Sequence, residues 1–96
     1  MFKTKGTPLE YSKYKEYYVD VEEEWHWVFR FPNDYGASVI KRFGSYGYEE
    51  DKFELAVLAY DGESVILAYN TPITDDVLGY LTNEEVLELL EKIKCL

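Results

Sequence analysis

The sequence predicts an α+β fold, a four-stranded, mainly antiparallel sheet with a C-terminal helix packed on one face, and three stretches carry that prediction. In the first, Trp25, Trp27, Phe29 and Phe31 alternate with Glu24, His26 and Arg30, the period of two that puts bulky rings on one side of a strand and polar groups on the other. In the second, two apolar runs, Phe53 to Tyr60 and Ser64 to Tyr69, flank Asp61-Gly62, a dipeptide suited to a type I′ hairpin. In the third, Thr82 and Glu85 form a capping-box pattern ahead of Val86, Leu89, Leu90 and Ile93, whose spacing makes one apolar stripe on a helix.

Along the chain, residues 1–9 hold Gly6, Thr7 and Pro8 with little apolar material, and are expected as an arm leading into a single domain over 1–96. Tyr11, Tyr14 and Tyr18 follow helical spacing, whereas Tyr17, Val19 and Val21 alternate; a short helix or turn leading into a strand satisfies both. Pro32-Asn33-Asp34 ends the ring-bearing strand with turn chemistry, and Tyr35 to Phe43 returns antiparallel, with Gly36 marking a bulge or a close contact with Trp. Gly44 to Asp51 is the longest irregular stretch and so the first place to look for function. The two later strands are apolar on both faces, which predicts that both lie centrally beneath the helix. Thr74 is placed to N-cap a short helical turn over Asp75, Asp76, Val77 and Leu78, with Gly79 as its stop. In the final helix, Glu84, Glu88, Glu91 and Lys92 form the wet side, and Lys92 with Lys94 complement the negative end.

A chain of 96 residues has room for one core, and 18% aromatic residues, ten of them Tyr, supply bulk in place of disulfides or a structural metal. Cys95 is the sole cysteine, so an intramolecular disulfide or a thiolate zinc site is excluded and a reducing, cytoplasmic setting is expected. The opening MFKTKGTPLEY lacks a signal-peptide apolar stretch, and no run approaches the ~20 apolar residues of a membrane span. Net charge is −9, split as +2 over residues 1–19 and −11 from Asp20 onward. Such a body repels phosphate, which argues against direct nucleic-acid binding and in favour of a basic protein partner.

Groups able to do chemistry are sparse. His26 is the one histidine, has no cysteine to pair with, and is expected to make surface or cross-strand hydrogen bonds rather than to catalyse. The acid runs Glu22-Glu23-Glu24, Glu49-Glu50-Asp51 and Asp75-Asp76 lack the spacing of a calcium loop, and neighbouring acids on a strand point to opposite faces. Gly44-Ser45-Tyr46-Gly47 lacks the lysine and the following helix of a phosphate-binding loop. Tyr11, Tyr14, Tyr17 and Tyr18 beside Lys13 and Lys15 could stack bases, but packing is the better account in an acidic protein. The sequence therefore predicts no enzyme, no cofactor and no metal. The feature that remains is acidity combined with aromatic side chains: Glu22, Glu23 and Glu24, with Tyr46, Tyr48, Glu49, Glu50 and Asp51, are the candidate partner-binding residues, rings anchoring and carboxylates steering a basic surface.

The stretches FPNDYGASVI, GSYGYEEDKFELAVL and NTPITDDVLGYLTNEEV resemble a family of small uncharacterised acidic proteins encoded by bacteriophages and prophages, over roughly Trp27 to Leu90. The resemblance implies an interaction protein of the host-cell cytoplasm that binds and inhibits a basic, nucleic-acid-binding host or anti-phage defence protein, some such proteins imitating DNA with spaced carboxylates. It implies no functional residues. Two other readings stay open: a small-ligand module for a nucleotide or metabolite, with a pocket between sheet and helix or at a dimer seam lined by Trp25, Trp27 and tyrosines, and a virion or replication accessory subunit in which an exposed strand edge or apolar patch makes a homo-oligomer, a homodimer among the options.

Overall fold

The computed structural model describes residues 6–20, 25–68, 71–73 and 77–96. They form an antiparallel sheet covered on one face, with strands β1 (Tyr18–Val19), β2 (His26–Arg30), β3 (Tyr35–Ile40), β4 (Phe53–Asp61), β5 (Ser64–Leu67) and β6 (Leu78–Leu81), and helix α1 (Asn83–Lys94). The α+β class and the packed C-terminal helix are as the sequence predicts, but the sheet has six strands rather than four. The additions are short: β1 pairs Tyr18 with Phe29, and β6 pairs Leu81 with Phe53. Gly79, expected to stop a helical turn, lies inside β6; the cap and first residues of that turn, Thr74 to Asp76, lie outside the described residues.

The order is β1-β2-β3-β4, after which β5 and β6 share the outer side of β4. β5 pairs with residues 58–61 and β6 with residues 53–55, so the two are consecutive pieces of one edge. The backbone of Ala68 still bonds Val57, and Leu78 resumes opposite Leu55, so the outer chain advances from 68 to 78 while β4 steps only from 57 to 55.

Alternation decides which side chains enter the core. Trp27 and Phe29 from β2, Ala37 and Val39 from β3, and Phe53, Leu55 and Val57 from β4 point to one face and are buried against Val86, Leu90 and Ile93 of α1. The helix starts on the predicted capping box: Thr82 Oγ1 accepts from Glu85 N at 3.2 Å and Glu85 Oε1 accepts from Thr82 N at 3.0 Å. At its other end the Asn33 amide, from the β2–β3 turn, donates to the carbonyls of Ile93, Lys94 and Leu96 at 2.9, 3.0 and 3.2 Å, satisfying acceptors that a helix terminus leaves open.

The Tyr-rich start is the second part of the covering layer. A 3₁₀ segment over Ser12–Tyr17 leads into β1, the helix-then-strand order expected of this stretch. Tyr11 and Tyr18 meet Phe29 at centroid distances of 5.7 and 6.0 Å, and Tyr14 and Tyr17 meet Phe31 at 6.3 and 5.1 Å, edge to face. The buried Tyr14 hydroxyl donates to Glu91 Oε2 at 2.8 Å; burial and that carboxylate push its pKa up to about 12. Within the arm expected over residues 1–9, Gly6, Thr7 and Pro8 are exposed, with Thr7 N bonded to Asp51; Leu9 is buried, and Glu10 exchanges hydrogen bonds with the Asn83 side chain. Residues 1–5 lie outside the described residues.

Five expectations need correction. β5, expected to lie centrally beneath the helix, is an edge strand whose four residues are all exposed, and only β4 of the two is central. Trp25 is not in the strand; its φ of +64° turns the chain just ahead of β2, and it is half-buried rather than part of the buried face. β3 ends at Ile40 rather than Phe43: Lys41 N–H still donates to Trp25 O, one bond beyond the strand, and the chain then turns, Ser45 N–H donating to Arg42 O. Gly36 marks no bulge, and its close neighbours are the Phe29 carbonyl and the Tyr60 ring, not Trp. The β4–β5 loop is Gly62-Glu63, with φ positive at Gly62 and not at Glu63, the type II′ pattern rather than I′.

Candidate functional site

The connection from Lys41 to Lys52 is ordered by its own short hydrogen bonds. Ser45 caps the first turn, its N–H donating to Arg42 O at 2.9 Å and its hydroxyl at 2.7 Å. Tyr48–Glu50 forms a 3₁₀ turn closed by Lys52 N to Gly47 O at 2.9 Å. Gly47 sits at φ +93°, and a side chain there would strike the Tyr80 backbone at 2.9 Å, so only glycine permits both the turn and this approach to β6. Reciprocally, Tyr46 packs over Gly79.

Beneath the connection lies a group that sequence reasoning missed. Lys41 is fully buried, its ammonium donating to the Asp51 carboxylate and to Thr7 O, with the Trp25 and Phe53 rings at 5.1 and 4.7 Å from Nζ. Asp51 also accepts from Thr7 N at 2.9 Å. The Lys41 hydrogen bond first, and the Thr7 N–H second, hold the Asp51 carboxyl below its ordinary value of 3.8. One buried ammonium thus joins β3, the connection and the N-terminal segment. The alternation of Val39 with Lys41 was the available signal, since it puts this lysine on the core face.

This arrangement divides the predicted partner-binding residues. Tyr46 is 59% exposed, and Glu49 and Glu50 are exposed beside it. Tyr48, expected at the surface, is buried and carries Phe43 edge-on at 6.0 Å. Asp51, whose side chain is 45% exposed, is paired with the buried Lys41 ammonium. Glu22, Glu23 and Glu24 lie outside the described residues.

Two rings absent from the predicted set complete the patch: Phe43, 72% exposed, and Tyr80, 57% exposed. Tyr80 has φ +59°, a region where bulky residues are strained, and that conformation sets it against Gly47. Tyr46, Tyr48 and Tyr80 with Ser45, Glu49 and Glu50 line a shallow groove of about 250 Å³. Its neighbour, of about 240 Å³, runs over Asp51, Phe53 and Asn83. Both are smaller than the ~300–1,000 Å³ of pockets that engulf small ligands.

Elsewhere, His26 Nε2 lies 2.8 Å from Ser38 Oγ on the sheet face opposite the helix, the cross-strand hydrogen bond the sequence suggests, and desolvation lowers its pKa. Among the described residues no group of three or more His, Cys, Asp or Glu is placed to hold a metal ion, and no helix is long and apolar enough to cross a membrane. The chain matches no family model, and comparison with curated proteins and with solved structures returns no match.

Proposed function

We propose that this is a non-enzymatic acidic interaction protein that binds a basic protein surface through the patch formed by Phe43, Tyr46, Tyr80, Glu49 and Glu50. The observation that supports this reading is one groove lined by Tyr46 and Tyr80, each more than half exposed, together with Glu49 and Glu50, with the exposed Phe43 ring against neighbouring Tyr48 and with the connection tied by Asp51 to Lys41. Tyrosine faces attract guanidinium and ammonium groups, carboxylates pair with them, and a preorganised loop loses little entropy on binding. The net charge of −9 adds long-range attraction for a basic surface. The resemblance to phage-encoded acidic proteins supplies the class of partner: a nucleic-acid-binding host or defence protein, inhibited by occupation of its basic site. Anchoring by rings fits this patch better than imitation of phosphates by carboxylates alone.

The test is affinity capture from bacterial extract at low and high salt, followed by titration of the captured protein with variants. Binding is expected to weaken steeply with salt, to fail with Glu49→Lys/Glu50→Lys, and to weaken about 30-fold with Tyr46→Ala/Tyr80→Ala, the factor for a loss of about 2 kcal/mol at an interface anchor. Salt-insensitive binding, or binding indifferent to both double variants, would overturn the proposal.

A further inference from the structure

Independently of that patch, we infer that the outer edge of β5 pairs antiparallel with β5 of a second copy of this chain, about a two-fold axis through Ile66. All four residues of β5 are exposed, with Ile66 at 67%, and among the described residues β5 pairs only with β4. The ladder fixes which backbone groups are open. Antiparallel pairs alternate between hydrogen-bonded and non-hydrogen-bonded. Ala68 N–H bonds Val57 O, so Ser64, Ile66 and Ala68 direct their backbone groups inward to β4, and Val65 and Leu67 direct theirs outward.

That parity selects a register. A symmetric antiparallel pair centred on Ile66 sets Val65 of each copy opposite Leu67 of the other, so every outward N–H and C=O of β5 finds a partner. It sets the two Ile66 side chains opposite each other in a non-hydrogen-bonded pair, where side chains approach most closely. Charge favours the same occupant. Ser64 to Ala68 is free of charge in a chain of net −9, and this register places Ser64 opposite Ala68, keeping the Asp61 and Glu63 carboxylates of one copy away from those of the other. A basic segment would find no carboxylate within β5 to pair with, whereas an uncharged Ser-Val-Ile-Leu strand finds its complement in itself. The opposite edge, β1, has only two residues and offers no comparable seam.

Sedimentation of the full chain over a wide concentration range should show a monomer–dimer equilibrium, and Ile66→Lys should raise the dissociation constant at least tenfold while leaving the far-ultraviolet circular dichroism unchanged. In a Cys95→Ser background, Ile66→Cys should cross-link to a covalent dimer with oxidised glutathione as electron acceptor. Directly opposed non-hydrogen-bonded positions lie ~4.5 Å apart at Cα, within disulfide reach. Val65→Cys should not cross-link, because like positions then lie on a ~7–8 Å diagonal. A strict monomer at all concentrations, a dimer indifferent to Ile66→Lys, or cross-linking at 65 rather than 66 would overturn the inference.

Discussion

The two hairpins of this sheet are similar as sequence and opposite as structure. β2–β3 and β4–β5 are each a pair of apolar runs joined by a tight turn, yet the first is buried in the covered layer with its turn bonded to the helix, while the second ends in a strand with every residue exposed. The difference teaches that burial is set by what lies above a strand. An α-helix is ~10 Å across and strands are ~4.8 Å apart, so one helix covers about two strands. Here α1 covers β3 and β4, the tyrosines of the N-terminal segment cover β2, and nothing in the described residues covers β5.

The comparison is broken most directly by truncating one apolar side chain on each side. Phe29→Ala, at a fully buried site, should cost about 3–5 kcal/mol in urea unfolding, whereas Ile66→Ala should change the dilute monomer by no more than about 0.5 kcal/mol. Equal costs at the two sites would show that β5 is covered after all.

The lock at Lys41 comes next. Asp51→Asn leaves a buried ammonium without its carboxylate and should cost about 1–3 kcal/mol, toward the lower end because the Asp51 side chain is 45% exposed. Because the Asp51 pKa is lower in the folded state, its contribution is fully present above the ordinary value of 3.8 and is lost as pH falls through the depressed folded value. Stability measured from pH 6 down to pH 2 should therefore decline less in Asp51→Asn than in the parent; parallel curves would show that the lock is not electrostatic.

The turns sharpen the contrast. Asn33→Ala removes the donor to three helix-end carbonyls and should cost about 1 kcal/mol, as should Thr82→Ala at the opposite cap. Glu63→Ala, in the exposed β4–β5 loop, should be neutral within about 0.5 kcal/mol. Thermal melts of the three variants side by side provide the check.

Of the candidate site, the sequence supplied Tyr46, Glu49 and Glu50 by their residue types in an irregular stretch. It misplaced Tyr48 and did not foresee the partner of Asp51, because whether a ring faces water or a carboxylate meets a cation depends on how the chain folds over it, here Phe43 against Tyr48 and Lys41 beneath Asp51. Tyr80 could not be found from its own neighbourhood, since its exposure depends on β6 pairing with β4 and on Gly47 pressing against its backbone.

What the sequence determined by itself is what short-range physics can encode: the ring-bearing strand from its period of two, the turns from Asn, Asp and Gly, and the helix from its capping box and apolar stripe. The tertiary structure alone decided that a lysine would be the buried link between three segments, that the tyrosines would form half of the covering layer, and that one apolar strand would remain outside it. Those outcomes depend on which surfaces meet across dozens of residues, and a single helix has too little width to shelter every apolar strand that the local pattern produces.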